Sequence, residues 1–92
     1  MTTPKFPLGS LVATPAALEA LERAGQAPLD FLSRHAAGDW GDVDSEDWKL
    51  NDAAVKAGER ILSAYQTLKG VKLWIITEAD RSSTCILLPE EY

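Results

Sequence analysis

The spacing of apolar residues changes once along this chain, at Gly58, and that change restricts the class of fold open to it. Before Gly58 the apolar side chains recur at helical intervals: Leu18 with Leu21, Leu29 with Leu32 and Phe31 beside them, then Trp48 and Val55, in a stripe that can include Asn51, with Leu50, Ala54 and Ala57 alongside. After it the period is two. Ile61, Ser63, Tyr65 and Thr67 alternate with Leu62, Ala64, Gln66 and Leu68, and Val71, Leu73 and Ile75 alternate with Trp74 and Ile76. A period near 3.6 gathers one face of a helix, whereas a period of two sends neighbours to opposite faces of a strand. A helical first part followed by a stranded second part predicts an α+β fold.

Local signals set the boundaries. Thr14-Pro15 starts a helix, because the threonine hydroxyl accepts an orphan backbone N–H and a first-turn proline loses no needed donor. That helix is expected over Pro15–Ala24, and Pro28 opens a second over about Pro28–Ala37 in the same way. Asp44 or Ser45 caps a third, running to about Ala57, with acids in its first turn where the helix dipole favours them. Ile61–Leu68 reads as a strand or as a continuation of the third helix, and its period leaves both open. Lys69-Gly70 is a tight turn, Val71–Thr77 a strand apolar on both faces and so central, and Asp80–Ser83 a second turn. Thr84–Leu88 is the last strand, stopped by Pro89. The expected architecture is three N-terminal helices followed by a three-stranded antiparallel β-meander. Trp74 and Ile76 are expected in the core under the helices; if the sheet left them bare, that face is a homodimer surface.

With 92 residues the chain fits one domain, whose first segment, 1–8, carries two prolines and a lysine and is expected to be a loosely attached arm pinned by Phe6. Cys85 is the sole cysteine, which rules out an intrachain disulfide and fits a small buried thiol in a reducing compartment. No basic stretch followed by an apolar one resembles a secretory signal, and apolar runs stop at about four residues, so a cytoplasmic protein without membrane contact is expected.

Charge is the other organised feature. Asp39, Asp42, Asp44, Glu46, Asp47 and Asp52 face Lys49 alone, and six minus one equals the whole formal net charge of −5. The remaining bases, Lys5, Arg23, Arg34, Lys56, Arg60, Lys69, Lys72 and Arg81, are scattered. Phosphate neutralisation needs a clustered basic face, so direct nucleic acid binding is not expected. Asp44, Glu46 and Asp47 serve as cap and first turn. Asp39, Trp40 and Asp42 have no such duty, and with Trp48 they form the candidate partner-binding surface: aromatic anchors in an acidic rim, suited to a protein with a basic surface.

The same acids fail as a calcium loop. Counting from Asp42, position six is Asp47 rather than glycine and position twelve is Ala53 rather than glutamate. His35 is the only histidine, and no paired Cys/His spacing accompanies it, so neither metal nor cofactor is expected. Near the end of the second helix, its expected role is to complement the helix dipole.

The run Gly38-Asp39-Trp40-Gly41-Asp42, the pair Asn51-Asp52, and the stretches Leu73–Ser82 and Leu87–Tyr92 resemble small proteins encoded on bacterial plasmids and integrative elements. The resemblance covers roughly Leu8 to the C-terminus. It implies a bacterial cytoplasm and a mobile-element setting, and carries no activity, cofactor or catalytic residue. The expected function is that of a non-enzymatic accessory or regulatory protein binding another protein, such as a host nucleic-acid-processing enzyme. The alternative is a small ribonuclease-like toxin, with His35 or Glu78 moving a proton, Arg60 or Arg81 holding phosphate, and Thr84 beside them on the sheet. An acidic protein repels RNA, which weighs against that alternative.

Overall fold

A computed structural model describes residues 4–92. Thr14 Oγ1 accepts the Ala17 N–H at 3.1 Å and Pro15 takes the first helical position, giving α1 over Pro15–Arg23. The Asp30 carboxylate turns back to accept the Ala27 N–H at 2.9 Å, and Pro28 opens α2, Pro28–Ala36. Asp44 caps α3, Ser45–Ala57, by accepting the Asp47 N–H at 2.8 Å. Four strands complete the fold: β1 Ser10–Ala13, β2 Ile61–Gln66, β3 Lys72–Thr77 and β4 Ser83–Leu87, followed by a 3-10 turn at Pro89–Glu91. Ile61–Gln66 is therefore strand and not an extension of the third helix.

The sheet corrects the expected architecture. Its order is β1-β4-β3-β2, with β1 parallel to β4 and the other pairs antiparallel, so it is a mixed four-stranded sheet rather than a three-stranded meander. A strand also precedes the helices, which lie between β1 and β2. Four residues are too few to display a period, and β1 exists only through pairing with a distant segment, Ser10 with Ser83 through Ala13 with Ile86.

Leu73, Ile75, Tyr65 and Ile86 meet Ala17, Ala20, Leu21, Phe31 and Leu32 in one core cluster beneath α1 and α2. A second cluster joins Phe6, Trp40, Ala54 and Ile61, with Val43, Trp48 and Val55 packed against it, and seats α3 on the same sheet face. Alternation along β3 then sends Trp74 and Ile76 to the opposite face, away from the helices. The expectation that they lie under the helices is corrected: Trp74 instead meets the Tyr92 ring edge-on at 5.6 Å, and Cys85, Ile76's partner on β4, is half-buried on that face. From Lys5 onward the N-terminal arm is fastened, since the Lys5 N–H donates to the Ala36 carbonyl at 2.8 Å and Phe6 is buried. Its first residues, 1–3, lie outside the described ones. No helix among the described residues is long and apolar enough to cross a membrane.

Candidate functional site

The acidic segment after α2 runs along the outer edge of β2. Asp39 organises its start: its N–H donates to the Arg34 carbonyl at 2.9 Å, Oδ2 accepts from Arg34 Nε at 2.8 Å, and Oδ1 accepts the Gly41 N–H at 3.1 Å. The Arg34 hydrogen bond holds the Asp39 carboxyl below its ordinary range. Arg34 also lies over the Tyr65 ring, whose hydroxyl donates to the Asp39 carbonyl at 2.6 Å. Burial pushes the Tyr65 hydroxyl up to about 12, so it stays a donor.

The next residues pair with the strand. The Ala64 N–H donates to the Trp40 carbonyl at 3.1 Å and the Asp42 N–H donates to the Ala64 carbonyl at 2.6 Å, forming a short parallel bridge at Gly41. Only glycine permits this approach. Gly41 has φ +75, and a Cβ there would lie 2.0 Å from the Ala64 oxygen and 2.6 Å from the Tyr65 ring. Further along the edge, Asn51 substitutes for a strand residue: Nδ2 donates to the Leu62 carbonyl at 2.8 Å and Oδ1 accepts the Leu62 N–H at 3.3 Å. Leu62 and Ala64, two of the three outward-facing residues of β2, thus find partners in this segment and in α3.

Trp40 is the correction that matters for function. Its ring is fully buried between Phe6, at a centroid distance of 6.0 Å, and His35, at 5.7 Å, and its Nε1–H donates to Asp52 Oδ1 at 3.0 Å. It is a core residue and offers no exposed anchor. Trp48 is half-buried against the same cluster. Asp42, Asp44, Glu46 and Asp47 are exposed, as expected of a solvated acidic surface, while Asp39 is half-buried and bonded to Arg34. The exposed apolar residue among these acids is Leu50, at 65%, which sequence reasoning had placed on the thin inner face of α3. With Val43, Asp47, Asn51, Arg60 and Leu62 it lines a shallow cleft of about 260 Å³.

The five residues considered for RNA cleavage do not form one open site. His35 and Thr84 are fully buried. They belong to a polar chain that crosses the sheet beneath α2: Ser63 Oγ to His35 Nδ1 at 2.5 Å, His35 Nε2 to Thr77 Oγ1 at 2.8 Å, Thr77 to Thr84 at 2.8 Å, and Thr84 to the Leu8 carbonyl at 2.7 Å. The directions follow from the last link. Thr84 spends its proton on a carbonyl, so Thr77 donates to Thr84, His35 donates from Nε2 to Thr77, and Ser63 donates to Nδ1. The imidazole is neutral, its pKa lowered to about 4 by burial and secondarily by the Arg81 cation. Its expected part as a charged partner of the helix dipole is corrected accordingly. Arg60 and Glu78 stand 3.6 Å apart near Tyr92, whose ring lies beneath the Arg60 guanidinium. Arg81, held at φ 61, donates to the carbonyls of Ala54, Glu59 and Glu78 and so fastens the end of α3 to the β3–β4 turn.

Another cleft, about 690 Å³, lies between α1 and the β2–β3 turn, and no residue of the acidic segment lines it. Its charged lining includes Glu19 and Arg23, which pair with each other across one helical turn. No group of three or more His, Cys, Asp or Glu side chains among the described residues is arranged to hold a metal ion. Compared with protein-family models, curated proteins and solved structures, the chain matches none.

Proposed function

We propose that this protein is a non-enzymatic accessory factor of a bacterial mobile element, acting in the cytoplasm by binding a protein with a basic surface, such as a host nucleic-acid-processing enzyme. The mobile-element setting rests on the resemblance of its sequence motifs. The binding reading rests on one observation: Leu50, 65% exposed, sits beside a shallow cleft and is flanked by Asp47 on its own face of α3, with Asp42, Asp44 and Glu46 nearby in the chain. An aliphatic anchor supplies desolvation energy, and the acids steer a basic partner and fix its orientation. Leu50 takes the part that the sequence assigned to Trp40, while Asp42 keeps its place in the acidic rim and Trp48 supports α3 from beneath.

The test is affinity capture from bacterial lysate with the wild-type chain, Leu50→Ala, and the double variant Glu46→Lys/Asp47→Lys. The expected result is one basic protein retained by wild type, released as salt rises, and held about tenfold less tightly by each variant, equivalent to about 1.4 kcal/mol. Retention that is the same for all three chains and insensitive to salt would contradict the proposal.

A further inference from the structure

We propose that β1 is a dimerisation edge: two copies of this chain join β1 to β1 in antiparallel fashion across a twofold axis and double the four-stranded sheet. This surface is separate from α3 and its acids. The Ser10 and Thr14 N–H groups donate to the Ser82 and Ile86 carbonyls, each at 3.0 Å, so the parallel ladder uses the even-numbered residues of β1. Alternation turns the N–H and C=O groups of Leu11 and Ala13 outward, where no described residue bonds them. The side chains beside this free edge are apolar and open: Leu11 is 55% exposed, Val12 50%, and Leu29 on the neighbouring α2 68%.

Apart from its short length of four residues, the edge lacks the devices that keep strands apart. No lysine, proline or bulge interrupts β1, and no covering segment lies over it among the described residues. Phe6 through Leu18 carries no ionisable side chain, and the charges near the edge include Glu91, bonded to Thr14, and the mutually paired Arg34 and Asp39, so the strand itself adds no repulsion between two molecules of formal net charge −5.

The register is self-complementary. With the twofold axis at Val12, the Leu11 N–H reaches the Ala13 carbonyl of the second copy, the Ala13 N–H reaches its Leu11 carbonyl, and symmetry repeats both bonds. On the helix face each Leu11 then opposes the small Ala13 of the other copy, and on the open face the Val12 side chains meet. An apolar groove of about 630 Å³, lined in part by Leu8, Leu11, Leu29 and Leu32, runs beside the edge and receives the second copy's side chains. The open sheet face offers less, because Ile76 and Leu87 there are only 5% and 8% exposed within the monomer.

The test is sedimentation equilibrium of the full chain from micromolar to millimolar concentration, with circular dichroism to verify folding. Wild type is expected to shift from 10.0 kDa to twice that mass as concentration rises. Leu11→Pro removes an N–H that the monomer does not use, and Val12→Lys places like charges on the twofold axis; both are expected to stay at 10.0 kDa while folded. If Leu11→Pro fails to fold, Val12→Lys alone decides, since its side chain is half exposed. Wild type remaining monomeric throughout overturns the proposal. So does a dimer that survives Val12→Lys, or one abolished by Trp74→Lys and unaffected by Val12→Lys.

Discussion

At one edge of the sheet Leu62 and Ala64 find partners for their outward-facing backbone groups in Asn51 and the Trp40–Asp42 stretch; at the other, Leu11 and Ala13 find none among the described residues. A sheet edge with free N–H and C=O groups is a template for another strand, and proteins cover, charge or shorten such edges. At β2 a loop and a buried amide provide the cover. At β1 the strand is short but uncharged and flanked by exposed leucines. The Trp-bearing acidic segment therefore has a first task inside the fold. Its backbone seals β2, its indole fills the core, and the acids left over face solvent. The two proposals give these surfaces different partners: carboxylates around Leu50 for a basic protein, and bare backbone at β1 for a second copy.

The contrast can be broken most forcefully at Trp40. Trp40→Ala empties the space between Phe6 and His35 and is expected to cost about 3–5 kcal/mol, measured by urea unfolding, with the β2 edge losing protection before the rest of the sheet. Acid should loosen both edges together, because the His35 chain links Ser63 on β2 to the Leu8 carbonyl just before β1. The folded pKa of about 4 lies below the ordinary 6.5, so the unfolded chain binds the proton more readily. Stability is then full above about pH 6.5 and falls as pH drops toward 4, by about 3 kcal/mol in all. His35→Gln should flatten unfolding free energy across that window, and an equally steep pH dependence in the variant would contradict the role given to His35.

A smaller effect is expected at Asn51. Asn51→Ala leaves the Leu62 N–H and carbonyl without partners and should cost about 1–3 kcal/mol. It should also give β2 the stickiness assigned to β1, visible as concentration-dependent association by light scattering. The smallest effect sharpens the comparison from the other side. Val12→Lys should change monomer stability by no more than about 0.5 kcal/mol in urea, because that side chain has little to lose within one copy.

Much of this fold was legible residue by residue. Thr14-Pro15 and Asp44 announced helix starts that the backbone uses, and the change of period at Gly58 separated helices from β2, β3 and β4. What stayed hidden depends on pairing across the chain. Ser10–Ala13 carries no period of its own and becomes a strand only against β4, and that single addition turns an antiparallel meander into a mixed sheet. The candidate site was half legible. The acid count located the charged surface, but a tryptophan among aspartates looks the same in sequence whether it faces solvent or core. Its burial depends on Gly41 lying flush against Ala64, and nothing near Trp40 in the sequence specifies that contact. Leu50 was misplaced for the converse reason: the apolar pattern groups it with Ala54, but Ala54 and Asn51 face inward while Leu50, at the margin of so sparse a stripe, faces solvent.

Amide hydrogen exchange resolved to single residues, followed as protein concentration rises, tests the unlike edges most directly. The Leu62 and Ala64 N–H groups should be protected at every concentration, whereas those of Leu11 and Ala13 should exchange rapidly in dilute solution and become protected as the dimer forms. Rapid exchange at Ala64, or exchange at Leu11 and Ala13 that does not slow with concentration, would contradict the account.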